Sequence, residues 1–188
     1  MTKLTLQSFL VLMVFTILTG VIYPVTVTMI AQATFAYQAN GSLIKSADGK
    51  VIGSELLGQQ FSDAKYFFSR PSSTAPFAYN AAGSAGSNLG PTNADLFKQM
   101  GARIEHLQPE AGQKVPVDLV TASASGLDPH ISPEAAIFQI DRIAKARNLD
   151  SAKVRTLVDQ FVEQPQMHLF GEPRVNVLKL NIALDGLK

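Results

Sequence analysis

The sequence lacks cysteine altogether and carries no charged residue between Lys3 and Lys45. The absence of cysteine excludes disulfides and thiolate metal sites. Apart from Lys3, the 16 basic residues and all 15 acidic residues lie at or after Lys45, so that part of the chain has no net charge. Nucleic-acid binding requires a basic face, and a neutral domain therefore argues against nucleic acid as a partner.

The uncharged N-terminal segment has the composition of a membrane helix. Residues 9 to 30 are almost wholly apolar, and at about 1.5 Å per residue they reach about 30 Å, the thickness of the bilayer's hydrocarbon core. We expect a retained transmembrane anchor over residues 1–33. The alternative is a cleaved signal peptide, because Ala31-Gln32-Ala33 fits the small-x-small cleavage pattern. The apolar run is longer than the roughly 7 to 15 residues of a signal core, which favours the anchor.

Small residues recur along one side of this anchor. Thr16, Gly20, Pro24 and Thr28 are spaced four residues apart and so form one stripe on a helix, called here the anchor stripe. Such a stripe lets another helix approach closely, and we predict that these four residues pack against a partner helix in the membrane. Pro24 also removes the hydrogen bond to the Gly20 carbonyl, which predicts a kink.

The rest of the chain is predicted to comprise a linker over 34–41 and an extracytoplasmic domain over 42–188. The domain is expected to be α+β, with one core and no internal repeat. A hairpin should turn at Asp48-Gly49, a pair that tolerates the positive φ angles of a tight turn. Alternating apolar residues predict strands at 115–121 and 174–184. The second should carry a bulge between Val177 and Leu178, where the alternation shifts.

Capping signals predict three helices in this domain. The first begins near Asn93, where Thr92 and Asp95 have the spacing of a capping box. The second and third follow the N-cap residues Ser132 and Asp150. Apolar residues at helical spacing should line one face of each helix: Leu96, Phe97, Met100, Ile104 and Leu107; Ile137, Ile140, Ile143 and Ala144; and Val154, Leu157, Val158, Phe161 and Val162.

Residues 121–136, TASASGLDPHISPEAA, contain the side chains of a hydrolytic triad. Turn and cap roles account for the same residues, and no G-x-S-x-G elbow is present. We therefore expect no catalytic residue. The alternative is a membrane-anchored extracytoplasmic hydrolase that uses Ser125, Asp128 and His130. No metal site is expected, because the three histidines are single and none has a second histidine at helical i+4 spacing.

The glycine-rich segment 83–93, GSAGSNLGPTN, precedes a helix and could be taken for a phosphate cradle. A P-loop places lysine followed by serine or threonine at the helix start, whereas the first lysine here is Lys98, inside the helix. We expect a structural loop that forms, with residues 121–132, a neutral surface for a partner. The candidate contact residues are Ser84, Ser87, Asn88, Ser125, Asp128 and His130.

Four segments of this sequence closely resemble the KdpC family, the C subunit of the bacterial high-affinity potassium-transporting P-type ATPase. They are YFFSRPS (66–72), GSNLGPTN (86–93), VPVDLVTASASGLDPHISPEAA (115–136) and GEPRVNVLKLNIALD (171–185). They follow one N-terminal membrane helix, as in the family, and the resemblance covers nearly the whole chain. Ala85 and Ala124 stand where glycine is common in the family.

The resemblance implies a non-catalytic subunit in a complex with three partners: a channel-like potassium-binding subunit, an ATP-hydrolysing P-type pump subunit and a small single-helix subunit. It implies a catalytic chaperone that raises the pump subunit's affinity for ATP, with no firmly bound cofactor of its own and ATP at the partner. It also implies a single-pass protein of the bacterial inner membrane, with a cytoplasmic N-terminus and the domain outside, over the channel-like subunit. We expect the neutral loops at 83–93 and 121–132 to let the domain cover that subunit's ion entrance.

Overall fold

The computed structural model describes residues 2–110 and 112–187. The chain divides into two compact units, Met1–Val51 and Ile52–Lys188. The first contains one long apolar helix, and the second combines helices with a small sheet, so the predicted class of an N-terminal apolar helix followed by an α+β domain is confirmed. The boundary proposed at residue 42 remains a prediction.

The helix of the first unit runs over Thr2–Thr34 and is long and apolar enough to cross a membrane. It comprises α1 (Thr2–Ile17), a π-helical turn (Leu18–Ile22) and α2 (Tyr23–Thr34). In the π turn the Tyr23 N–H donates to the Leu18 carbonyl, five residues back. Because Pro24 has no N–H to donate, the helix accommodates the lost bond by widening the preceding turn.

A short helix and a hairpin follow the membrane segment. Helix α3 is Ala36–Ala39, and strands β1 (Leu43–Lys45) and β2 (Val51–Ser54) form a two-stranded sheet. The Ser46 N–H donates to the Lys50 carbonyl at 2.8 Å, and Gly49 has a φ of +79°. The hairpin predicted at Asp48-Gly49 is therefore confirmed.

Beyond the hairpin, the second unit contains six helices and three strands among its described residues. They are α4 (Ala94–Leu107), α5 (Val117–Val120), β3 (His130–Ile131), α6 (Pro133–Phe138), α7 (Ile140–Arg147), α8 (Ser151–Gln160), β4 (Val162–Glu163), β5 (Arg174–Asn176) and α9 (Val177–Asp185). The three strands form an antiparallel sheet in the order β3-β5-β4, in which Val175 pairs with Ile131 on one side and Val162 on the other.

The core of this unit is built mainly from α6 to α9 and the central strand. Its largest fully buried apolar side chains are Phe67, Ile143, Val154, Val158, Val175, Val177, Leu180 and Leu184. The two predicted N-caps are confirmed, since Ser132 accepts a hydrogen bond from the Ala135 N–H and Asp150 accepts one from the Ala152 N–H. The predicted second helix is interrupted at Gln139 and forms α6 and α7.

Helix α4 begins near Asn93 as predicted, but its N-cap residue differs from the prediction. Its N-cap is Asn93, whose side chain accepts a hydrogen bond from the Asp95 N–H, so the predicted capping role of Thr92 is wrong. Its C-cap is Gln108, in the left-handed conformation. On its apolar face Leu107 is buried and Phe97 is exposed.

The strand predicted at 115–121 is wrong, because residues 117–120 form the single helical turn α5. Its Thr121 N–H donates to the Val117 carbonyl at 2.9 Å. Arg103 of α4 donates from Nη1 to the Val120 carbonyl at 2.7 Å, so this carbonyl at the end of the turn has a hydrogen-bond donor. Burial of Leu119 and Val120 thus outweighs the β propensity of the valines.

The strand predicted at 174–184 is also wrong beyond Asn176. The Asn176 side chain accepts a hydrogen bond from the Lys179 N–H at 3.1 Å and starts α9. The shift in apolar alternation at Val177 and Leu178 marks this change from strand to helix rather than a bulge. Val177, Leu180, Asn181 and Leu184 are buried at helical spacing along α9.

Candidate partner-contact site

The two loops that the sequence analysis proposed as a partner surface lie against each other. The Ser84 hydroxyl donates to the Ser125 carbonyl at 2.9 Å. The backbone N–H of Ala85 donates to the same carbonyl at 3.0 Å. Residues 83–86 and 123–126 therefore form one surface, called here the loop pair.

Two glycines permit the close approach of these loops. A Cβ atom on Gly86 would lie 2.8 Å from the Ala124 carbonyl oxygen. Gly126 has a φ of +69°, and a Cβ there would lie 2.7 Å from the Ala85 carbonyl oxygen and 2.5 Å from Thr74 Cγ2. Such separations exclude a side chain at either position, so glycine is required where the loops meet.

A third segment, residues 70–80, supports the loop pair and was given no role by the sequence analysis. The Ser72 hydroxyl donates to the Gly126 carbonyl at 2.7 Å, and the Ser123 N–H donates to the Pro71 carbonyl at 3.2 Å. The Tyr79 hydroxyl donates to the Arg70 carbonyl. Burial of this hydroxyl raises the pKa of Tyr79 to about 12, so it remains a donor. The clustered Ser, Thr and Pro residues were the only sequence signal for this scaffold.

Asp128 fixes the far end of the second loop. Its carboxylate accepts a hydrogen bond from Arg70 Nη1 at 3.1 Å and another from the His130 N–H at 3.0 Å, while His130 Nδ1 lies 3.6 Å away. Burial acts to raise the pKa of Asp128, but the hydrogen bonds from His130 and the charge of Arg70 lower it overall. Asp128 therefore remains ionised and holds the loop to the scaffold.

The same geometry provides no nucleophile for a hydrolase. Ser125 Oγ accepts a hydrogen bond from the Leu127 N–H at 3.1 Å, and Ser123 is buried. Within residues 2–110 and 112–187, no hydrogen bond links either serine to His130. Ser125 thus serves a backbone turn, and the Asp128 carboxylate holds Arg70 and the His130 N–H, so the three groups do not form a proton relay.

Ser87 and Asn88 lie farther along the first loop, where Asn88 is exposed with a φ of +52°. No hydrogen bond in the described part of the chain joins them to the second loop. The anchor stripe belongs to the other unit, and its four residues are exposed along the membrane helix. A Cβ on Gly20 would meet nothing within 4 Å. The contacts predicted for these residues remain predictions.

An open groove adjoins the loop pair. It has a volume of about 590 Å³ and is lined by Leu56, Leu57, Arg70, Ser123, Ala124, Ser125, Leu127, Asp128 and Pro129. Leu56 and Leu57 are exposed, as are Ala124 and Ser125. A rigid, mostly uncharged surface with exposed leucines is suited to contact with a protein.

The described residues contain no group of three or more His, Asp or Glu side chains that could hold a metal ion. The apolar N-terminal helix and the mixed helix-and-sheet domain define a class of protein: a membrane-anchored single-pass protein with one α+β domain.

Comparison with known proteins defines the family. Residues 5–186 match the sequence model of the family described as KdpC, the K⁺-transporting ATPase c chain. Three relatives bear the name potassium-transporting ATPase KdpC subunit. That of Methylococcus capsulatus is 56% identical over 184 residues, and that of Geobacter sulfurreducens is 55% identical over 182 residues, each alignment covering 96% of both chains. That of Dechloromonas aromatica is 56% identical over 175 residues, or 92% of this chain and 91% of the relative. The chain belongs to the KdpC family.

Proposed function

We propose that this chain is a non-catalytic accessory subunit of an ATP-driven potassium uptake pump in the bacterial inner membrane. Membership of the KdpC family carries this proposal. ATP hydrolysis belongs to a partner P-type ATPase subunit. The remaining partners are a channel-like potassium-binding subunit and a small single-helix subunit. This chain stabilises their assembly and carries no firmly bound cofactor.

The membrane helix packs against the channel-like subunit through the anchor stripe. The open space around Gly20 supports this contact, because a neighbouring helix can approach the backbone there. Replacing Gly20 with leucine should reduce recovery of the assembled complex by about tenfold, the effect of losing ~1.4 kcal/mol of contact energy. Thr19→Leu is the control, since it places a leucine beside the stripe rather than on it. Equal recovery of the two variants would refute the contact.

The loop pair and its adjoining groove contact the same channel-like subunit and cover its ion entrance. The exposed Ala124 and the exposed Leu56 support this assignment, because both border the groove. Ala124→Arg should weaken the contact and raise the potassium concentration needed for half-maximal ATPase activity. Ala102→Arg, on the exposed side of α4, adds the same charge away from the groove. An unchanged potassium dependence in Ala124→Arg would refute this role.

The subunit acts as a catalytic chaperone that raises the pump subunit's affinity for ATP. With the domain outside the membrane, the effect must pass through coupled conformational states, for which typical coupling is about 1–3 kcal/mol, or roughly 5- to 150-fold in affinity. ATP affinity should therefore fall by a factor in this range when the complex is purified without this chain. An equal affinity in both preparations would refute the chaperone role and leave the structural role intact.

The N-terminus is cytoplasmic and the domain extracytoplasmic. Proteases added to spheroplasts should remove the domain while the inner membrane is sealed, and the membrane helix should be retained. Protection of the domain until the membrane is permeabilised would reverse this orientation. It would also make direct contact with nucleotide feasible.

A further inference from the structure

A tight loop between β4 and β5 displays three large apolar side chains. Met167, Leu169 and Phe170 are 86%, 74% and 63% exposed. The loop closes on a bridge in which the N–H of Gln166 donates to the Phe170 carbonyl and the Phe170 N–H donates back to Gln166, each at 2.9 Å. We call these three side chains the apolar tip.

The backbone holds the apolar tip in place. Met167 and His168 have φ angles of +55° and +57°, and Gly171 has a φ of +91°. The His168 N–H donates to the Pro165 carbonyl at 2.9 Å, and the Leu169 N–H donates to the Gln166 carbonyl at 3.1 Å. Left-handed conformations at two consecutive non-glycine residues cost free energy. The loop therefore has a defined backbone conformation, and in that conformation the three apolar side chains are exposed.

The apolar tip is also uncharged. No Lys, Arg, Asp or Glu occurs from Gln164 to Gly171. At the base of the loop Glu163 is paired with Arg174, Oε2 to Nε, at 3.1 Å. The tip therefore enters a medium of low polarity without burying an unpaired carboxylate or ammonium group.

Two features identify the low-polarity medium that the apolar tip enters. They are the convex shape of the tip and the membrane helix of the chain. A protein partner would need a matching cavity for three protruding side chains, whereas the headgroup region of a bilayer deforms around them. The apolar helix Thr2–Thr34 already restricts the chain to a membrane surface. We propose that the apolar tip inserts into the lipid interface of that membrane and gives the domain a second attachment to the bilayer. Interfacial apolar groups reach a depth of about 5–10 Å.

The chain has no tryptophan, so a single introduced tryptophan is a unique fluorescent reporter. Leu169→Trp is prepared in the full chain and reconstituted into phosphatidylcholine vesicles, with or without bromine on the acyl chains near the headgroups. Emission from the tryptophan introduced at position 169 should be quenched at least about twofold by the brominated lipid, as expected for a residue at interfacial depth. Val117→Trp, at a position on α5 that is 67% exposed, should be unaffected.

Three results would overturn the proposal. Unquenched emission at position 169 would show that the tip does not enter lipid. Equal quenching at positions 169 and 117 would indicate unspecific adsorption of the domain. Shielding of the position-169 reporter from aqueous iodide only when the other pump subunits are present, without quenching by bromine, would assign the tip to a protein contact. Because the isolated full chain suffices for the lipid measurement, its outcome does not depend on the role proposed in the pump.

Discussion

Gly126→Ala is a sharp test of the loop pair, because the structure defines what the added methyl group would meet. A Cβ at this position would lie 2.5 Å from Thr74 Cγ2 and 2.7 Å from the Ala85 carbonyl oxygen, with the backbone at a φ of +69°. The left-handed conformation costs about 1–2 kcal/mol for a residue with a Cβ. Overpacking adds about 1–3 kcal/mol. The free energy of unfolding should therefore fall by about 2–5 kcal/mol.

The measurement is thermal unfolding of the full chain in detergent, followed by near-ultraviolet circular dichroism. For a domain of this size, each kcal/mol lowers the midpoint by about 2–4 °C, so Gly126→Ala should unfold on the order of 5–20 °C lower. The matched control is Gly90→Ala. A Cβ on Gly90 meets nothing within 4 Å and its φ is not positive, so this variant should be as stable as the wild type or slightly more stable.

A second variant separates the contact with Thr74 from the other costs of Gly126→Ala. Thr74→Ser removes Cγ2 and retains Oγ1, which donates to the Phe77 carbonyl at 2.7 Å. Combined with Gly126→Ala, it should recover part of the lost stability, because the contact with the Ala85 oxygen and the backbone cost remain. An unchanged midpoint for Gly126→Ala would show that the two loops do not meet as described. Full recovery in the double variant would show that the Ala85 contact is absent.

Three further predictions concern the contacts that hold the loops and the core. Asn181→Leu leaves the N–H and carbonyl of Phe67 unpaired in the core and should cost about 2–5 kcal/mol in denaturant unfolding, while the exposed Asn88→Leu should cost well under half as much. Asp128→Asn should lower stability by ~1.5 kcal/mol at pH 7. Because the folded pKa of Asp128 lies below its ordinary 3.8, this difference should be fully present above pH 3.8 and be lost as the pH falls through the folded value. A difference that does not diminish as the pH falls below 3.8 would contradict the assignment. Ser132→Ala removes the N-cap of α6 and should cost about 1 kcal/mol, whereas Ser132→Asp should retain most of the stability because aspartate also caps.

Predictions from short sequence patterns were accurate where the structure depends on bonds between residues close in sequence. Ser132 and Asp150 cap helices because the bonds they make lie within two or three residues. The hairpin at Asp48-Gly49 depends on one turn. The strand expected at 174–184 was wrong beyond Asn176, although the sequence there carries a helical pattern. The residues that share one helix face are Val177, Leu180, Asn181 and Leu184. The turn at 117–120 depends on packing against distant residues and leaves no comparable local pattern.

The candidate site was predictable in part for the same reason. Small residues in two loops indicated a surface, and the structure does bring Ser84 to Ser125 and Asp128 to His130. The supporting segment 70–80 was missed, because its hydrogen bonds join residues far apart in sequence, such as Ser72 and Gly126. Nothing in a single sequence indicates that pairing.

The scaffold beneath the loop pair is ordered by two buried amides that replace a neighbouring strand. The Gln139 side chain accepts from the Phe68 N–H at 2.7 Å and donates to the Phe68 carbonyl at 3.2 Å. Asn181 makes the equivalent pair of bonds to Phe67, at 2.9 and 3.0 Å. Each amide satisfies both backbone groups of one residue, so the segment stays extended and buried without belonging to a sheet.

This arrangement links the core to the proposed contact surface through one continuous stretch of chain. The two phenylalanines are fixed by α6–α7 and α9, and the residues that follow them, from Arg70 to Thr74, hold the second loop at Asp128 and Gly126. A loop fixed in this way loses little conformational entropy when a partner binds, and binding is stronger by the ordering cost that is avoided. Loosening the scaffold should therefore weaken assembly of the pump even when no contact residue is changed. Gln139→Leu tests this link: recovery of the complex should fall at temperatures well below the unfolding midpoint of the variant, and recovery equal to wild type would show that the rigidity of the loops does not matter.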